Sequence, residues 1–272
     1  MLCKKPFRKA NLSFGCGQCS HCRINRVRLW VGRMLLESYE HPVSAFLTLT
    51  YDQQNLPSPP QVDKREIQLF MKKLRAYSGN QYRYYAVGEY GDKTWRPHYH
   101  LIVYGLNPTD NKLIEKCWRK GFVYYGLVTD SSCSYVASYV IKRMTKKTDP
   151  RLGGLNPEFA LMSRRPALGS KIVDRMTSAY LSEKGLAAYE KQGRVQTEFR
   201  AEGKVYSIGA YLTKKLHTNL GIEKADRALY TAERSRQVWE EQRNLTASEV
   251  DSKFRAKLAQ QNAKIRQKRK TL

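Results

Sequence analysis

The sequence predicts an α+β fold. Its centre is a ferredoxin-like (RRM-like) palm, an antiparallel sheet with helices on one face, with an N-terminal Cys-rich helix and a C-terminal helical extension. Three observations predict it. Residues 44–128 alternate between period-two and helical apolar spacing in the order β-α-β-β-α-β, the signature of a split βαβ unit. Cys16, Cys19 and Cys22 run directly into an amphipathic stretch. Residues 221–272 are almost free of Gly and Pro and rich in Ala, Glu, Gln, Arg and Lys, as a long helix requires.

Each element follows from its own pattern. Ile24, Val27, Val31, Met34 and Leu35 predict a helix over 21–39. SAFLTLTY at 44–51 alternates as a strand does. Asp63 with Glu66 resembles a capping box, and Ile67, Phe70, Met71 and Leu74 form a helical stripe after it. Residues 82–90 and 98–104 read as strands joined across GDKTWRP, 109–119 as a helix stopping near Gly121, 122–128 as a strand, and 132–146 as a helix opening after Ser131. The order puts both inter-strand helices on one face and leaves the other open for a site. Residues 149–170 read as loop, 195–208 as a hairpin turning at Ala201 to Gly203, and 221–272 as helix with a basic tail. The expected organisation is a Cys-rich basic segment at 1–40, a core at 41–148, a loop-rich region at 149–220 and a helical extension at 221–272.

Charge narrows the function. Lys and Arg total 49 against 24 acidic residues among 272, a net +25. Nucleic acid is the default partner for such a surplus, because each neutralised phosphate releases a counterion. No apolar run of membrane-spanning length occurs, and MLCKKPFRKA lacks the apolar stretch of a signal peptide. The thiols are then expected to stay reduced in a cytoplasm, and their spacing points to metal. Cys3, Cys16, Cys19 and Cys22 could form a structural zinc site, with His21 as a substitute ligand. An iron–sulfur cluster and plain thiols stay open. Cys117 and Cys133 read as packing residues. The arginines Arg23, Arg26, Arg28 and Arg33 of the first helix are candidates for DNA backbone contacts, as is Arg96.

Two motifs carry chemistry. In RPHYH, His98 and His100 lie two apart on a strand and share a face, while Tyr99 and Leu101 point the other way. Glu89, near the end of the preceding strand, can supply a carboxylate to the same face. Two imidazoles and one acid suit Mn²⁺ or Mg²⁺ and leave positions for substrate oxygen. In YVASYVIK, Tyr135, Tyr139 and Lys142 form one helical stripe. A tyrosine can attack a phosphodiester, but its pKa of about 10 demands help, which a metal and Lys142 could give. Packing of ordinary aromatic residues is the competing reading of both motifs.

FLTLTYD at 46–52, RPHYH at 96–100 and YVASYVIK at 135–142 occur in this order, and the ordered set resembles the motifs of HUH endonucleases that initiate rolling-circle replication. CGQCSHCR, GEYGDKTWRPHYH and SRRPALG extend the resemblance, over roughly residues 1–170, to replication initiators of microviruses of the gokushovirus type. The resemblance implies a metal held by His98, His100 and Glu89, a nucleophile at Tyr139 with Lys142 beside it, and a second tyrosine at Tyr135. It implies a single-strand endonuclease and strand transferase acting on origin DNA. The expected product is a 5′-phosphotyrosine and a free 3′-hydroxyl that primes a host polymerase. A host helicase and the host bacterial cytoplasm complete the expectation. Its rivals are a non-enzymatic basic nucleic-acid-binding or packaging protein with an N-terminal zinc site, a single-tyrosine transposase and a relaxase.

Overall fold

The computed structural model describes residues 3, 5–9, 12–91, 94–139 and 148–222, with 246, 248, 249, 252, 255 and 256. The chain divides into two compact units, one built on Ser20–Leu220 and one on Leu2–Cys19 with Gly221–Leu272. The second unit contains a hairpin of β1 (Phe7–Lys9) and β2 (Leu12–Phe14), whose Phe7 and Phe14 rings stack at 5.5 Å. The long helix expected at 221–272 falls almost wholly outside the described residues.

In the larger unit the chain runs through α1 (Ser20–Ser38), β3 (Ser44–Thr50), α2 (Lys64–Ser78), β4 (Arg83–Tyr90) and β5 (Pro97–Tyr104). Then come α3 (Asn111–Trp118), β6 (Val123–Leu127) and α4 (Asp130–Ser138). The strands form an antiparallel sheet in the order β6-β3-β5-β4, so the expected βαββαβ palm is present. A further strand, β7 (Phe159–Met162), extends it beside β4. This corrects the expectation of loop over 149–170. Gly88 makes the pairing possible, because a Cβ there would lie 2.7 Å from the Phe159 ring. Beyond β7 lie α5 (Lys171–Tyr180), α6 (Glu183–Gln192), the hairpin of β8 (Glu198–Ala201) and β9 (Lys204–Ser207), and α7 (Gly209–Asn219). The hairpin turns at Glu202 and Gly203, both at positive φ, one residue later than the sequence suggests.

Local chemistry explains the element ends. Asp63 caps α2 by accepting from the Arg65 N–H at 2.8 Å. Glu66 does not close a capping box; Lys120 donates to its carboxylate at 2.8 Å and ties α2 to the approach to β6. Gly121 does not end α3, whose cap is Arg119 at φ 49°. Instead it lets the chain pass against β3, since a Cβ there would lie 2.2 Å from the Asp52 nitrogen. α4 opens earlier than expected, because Thr129 and Ser132 form its capping box.

Both faces of the sheet are covered. Leu47, Leu49, Tyr99, Leu101 and Val103 pack against α2 and α3, with Trp118 donating to the Thr50 carbonyl at 2.9 Å. The opposite face was expected to be open. It is instead buried over much of its length: Phe46, Tyr85, Val87, Ile102 and Tyr104 pack with Val31 and Met34 of α1 and Val136 and Ala137 of α4. The reason lies in β4 and β5, which are apolar on both sides and so demand cover on both. Among the described residues no helix is long and apolar enough to cross a membrane.

Glu37 joins three segments. It is buried to 1% exposure near the end of α1, pairs with Arg83 of β4, and accepts from the Gly169 N–H at 2.6 Å. Removing one partner of a buried pair strands the other and costs about 3–5 kcal/mol. Glu37→Ala is therefore expected to lower the urea-unfolding free energy by about 3 kcal/mol; a change indistinguishable from zero would refute the role given to this carboxylate.

Candidate active site

The register of β5 builds the site. Thr50 of β3 and Glu89 of β4 both stand opposite His98, while Thr48 and Val87 stand opposite His100. Directly paired residues project to the same face, so His98, His100, Glu89, Thr48 and Thr50 share one side of the sheet. Tyr99 projects to the other side, where its hydroxyl lies 3.0 Å from that of Tyr51 and accepts from the Asp63 N–H at 2.9 Å.

His100 is held at both ring nitrogens. Nδ1 lies 2.9 Å from the Thr48 hydroxyl and Nε2 lies 3.0 Å from a Glu89 carboxylate oxygen. Both His100 and Glu89 are buried. His98 is half-buried and its Nδ1 lies buried without a hydrogen bond. Burial pushes its pKa below the usual imidazole value, against a raising influence from the Arg96 backbone. Among the described residues, the group of three or more potential ligands whose donor atoms lie within 4.8 Å of one another is the cysteine cluster. His98, His100 and Glu89 share a face but do not close to that degree.

The tyrosines stand against this surface. The Tyr139 ring stacks on His100 at 5.0 Å and 6°, Tyr135 meets His100 edge-on at 5.1 Å, and the two tyrosines meet edge-on at 5.2 Å. Phe46 packs against both His100 and Tyr135. Tyr135 belongs to α4, and Tyr139 is its C-cap; the helix was expected to continue to 146. Lys142 lies outside the described residues. Burial raises the Tyr139 pKa far above its ordinary value, and the charge of Glu89 and hydrogen bonding with Tyr135 and Glu89 raise it further.

The segment carrying the tyrosines is anchored at its start. Asp130 is buried, pairs with Lys204 and accepts from the Tyr206 hydroxyl at 2.5 Å. Neither this anchor nor the Thr48 contact was anticipated. Thr48 was detectable in principle, since FLTLT alternates and puts it on the face of Thr50. Asp130 pairs with residues more than 70 positions away, and no local pattern announces that.

Cys3, Cys16, Cys19 and Cys22 have sulfurs within 4.8 Å of one another, a set able to hold a metal ion. His21 is buried and lies outside that set. The backbone N–H groups of Cys19 and Gln18, and then the Cys3 side chain, lower the Cys16 pKa. Cys117 and Cys133 are buried in the two cores. The arginines divide. Arg33 is buried, donates to the Leu168 carbonyl at 2.8 Å and lies over Trp30, so it is a packing residue and not a DNA contact. Arg28 donates to the Val205 carbonyl at 2.8 Å, and Arg96 to that of Tyr51 at 3.1 Å. Arg26 is exposed and Arg23 half-buried.

Residues 44–148 match the family described as replication-associated protein, of the ORF2 type. The matched span begins with β3 and includes the His98–His100 strand and the tyrosines, so the class concerned is that of replication-associated proteins. More particularly, the chain is similar to replication-associated protein VP4 of Bdellovibrio phage phiMH2K. The two are 34% identical over 163 residues, covering 52% of this chain and 51% of the relative. It is 32% identical to replication-associated protein ORF2 of Spiroplasma virus 4, over 57% of this chain and 55% of that one. It is 31% identical to replication-associated protein ORF4 of Chlamydia phage 1, over 49% and 39%. The chain thus spans about half or less of the length of these relatives. No solved structure matches it.

The environment of Tyr139 predicts a titration. The folded chain favours the neutral phenol, so its contribution to stability is intact below the unfolded phenol pKa of about 10 and declines above it. Comparing the phenolate absorbance of the native chain with that of Tyr139→Phe should show no missing signal up to about pH 10. A group lost from the titration near neutrality would contradict the burial described.

Proposed function

We propose that this chain is the replication initiator of a single-stranded DNA phage, a single-strand endonuclease and strand transferase that acts through tyrosine. The observation that carries this reading is the stacking of Tyr139 on His100 with Glu89 beside both. It puts a phosphate-attacking group against a histidine–carboxylate surface. The similarity to phage replication-associated proteins supports the biological setting. In this reading residues 41–148 form the endonuclease core, between the Cys-rich segment 1–40 and the regions 149–220 and 221–272.

His98, His100 and Glu89 would hold Mg²⁺ or Mn²⁺. The donor types fit, and the unbonded buried Nδ1 of His98 fits a ligand whose partner is to be supplied. When bound, such an ion polarises the scissile phosphate and offsets developing negative charge. Thr48 fixes the His100 ring through Nδ1 and so directs Nε2 toward Glu89. The hydroxyl of Tyr139 attacks phosphorus in line. An Oη–P bond forms, the P–O3′ bond breaks, and the phenol proton is lost to water as the leaving 3′-oxygen takes one up. Lys142 stabilises charge on the phosphate or leaving group. The products are a 5′-phosphotyrosine and a 3′-hydroxyl primer. Tyr135, whose ring meets the same imidazole, performs the second transfer that closes the circle. With no helicase-type phosphate loop in the sequence, unwinding and extension fall to a host helicase and polymerase in the bacterial cytoplasm. Cys3, Cys16, Cys19 and Cys22 hold a structural zinc ion.

Incubation with labelled single-stranded origin DNA and Mn²⁺, followed by a denaturing gel, is expected to give a protein-linked DNA band. The double variant Tyr135→Phe/Tyr139→Phe should give none. An adduct formed by the double variant would exclude these tyrosines. Retained binding without any adduct from the native chain would leave a non-enzymatic binder. Protein purified without added zinc is expected to carry about one equivalent per chain, and Cys19→Ser to carry little. Less than half an equivalent in the native chain would remove the zinc assignment.

A further inference from the structure

The site face continues outward to the edge of the sheet. Phe122, just before β6, exchanges both backbone hydrogen bonds with Thr50, at 3.0 and 3.1 Å. Tyr124 stands opposite Thr48. Two cross-strand rows result, Phe122–Thr50–His98–Glu89 and Tyr124–Thr48–His100–Val87. Both aromatic residues therefore share the face of His98 and His100. They are 72% and 57% exposed, and the core does not need them. Tyr124 meets Phe46 edge-on at 6.2 Å, and Phe46 meets Tyr135 at 6.1 Å.

We propose that Phe122 and Tyr124 form a base-stacking subsite for single-stranded DNA, beside the histidine–tyrosine site. Residues two apart on an extended chain are separated by about 6.7 Å, about twice the stacked base spacing of 3.4 Å. Two unstacked neighbouring bases can thus each take a ring. The sheet spacing of about 4.8 Å puts the His98 row about 10 Å from Phe122, within reach of the phosphodiester chain that carries those bases. A net charge of +25 draws that chain in, and exposed Arg119 lies three residues before Phe122. Two rings bordered by threonines make a poor protein interface, which needs about 800 Å² per partner. They make a sufficient nucleobase platform, since stacking on a single ring is already worth about fivefold or more in affinity.

The inference rests on the proposed action on single-stranded DNA, and its test is independent of cleavage. The full chain is titrated, with EDTA present, against a short fluorescent single strand rich in purines. A second titration uses an abasic strand with the same number of phosphates. The native chain is expected to prefer the base-bearing strand. Phe122→Ala and Tyr124→Ala should each weaken that binding about fivefold or more, leave the abasic strand unaffected and keep the salt dependence unchanged. Unfolding midpoints should stay native, because both rings are exposed. Native affinity in the double variant, equal loss on both strands, or no binding of single strands by the native chain would overturn the subsite. So would conversion of a native dimer to a monomer with DNA binding intact, which would mark a protein contact. A native chain that shows ring-dependent binding but never forms an adduct would overturn the nuclease reading alone.

Discussion

The register of β5 between β3 and β4 is the constraint on which the molecule depends. A slip of one residue would carry His98 and His100 to the α2–α3 face and bring Tyr99 into the site, because side chains alternate strictly along a strand. The register is held from behind. Tyr99 is fully buried, hydrogen-bonded to Tyr51 and Asp63, and packed beside Trp118. Leu101 and Val103 fill the same core. The apolar face thus dictates the polar one: packing that never touches the site determines that two imidazoles, a carboxylate and two threonines point together.

Placement of the tyrosines rests on the other layer. α4 lies over the sheet because Val136 and Ala137 complete the core that α1 shares with Ile102 and Tyr104. Its start is fastened by the Thr129–Ser132 capping box and by Asp130, gripped from β9 by Lys204 and Tyr206. The hairpin is fixed in turn by Arg28 and by the close approach of Gly32 to Tyr206, where a Cβ would lie 3.0 Å from that side chain. A region that reads as accessory in the sequence therefore helps to aim the helix.

Legibility followed the range of each interaction. The βαββαβ order, the shared face of His98 and His100 and the inward turn of Tyr99 all rest on periodicity, which is local, and all were readable. The cysteine set was readable as far as its close spacing went, and Cys3 joined it only as a guess about a fourth ligand. The burial of the second sheet face was written in β4 and β5 as runs apolar on both sides, but the open-face expectation of the split βαβ unit overrode it. β7 was missed because FALM is short and its partner β4 lies far earlier in the chain. Arg33 misled for a related reason: a charged residue in a basic helix reads as solvated, and only the Leu168 carbonyl and the Trp30 ring reveal it as buried. The exposed ladder of Phe122 and Tyr124 looked like any other strand pattern until the cross-strand rows were known.

Burial of Tyr139 sets a condition on the proposed reaction. With desolvation first, and the charge of Glu89 second, its proton is held tightly. Positive charge reverses that balance, since it favours the phenolate and offsets the Glu89 carboxylate that now opposes it. A cation held by His98, His100 and Glu89 and a lysine at 142 are such charges. The arrangement then keeps the phenol inert when neither cation nor DNA is bound, and makes it reactive only where phosphate and cation arrive together. A chain with a surplus of 25 positive charges binds polyanions widely, so selectivity for cutting cannot come from attraction to phosphate alone. A nucleophile that is withheld until the site is filled supplies part of what electrostatic attraction lacks.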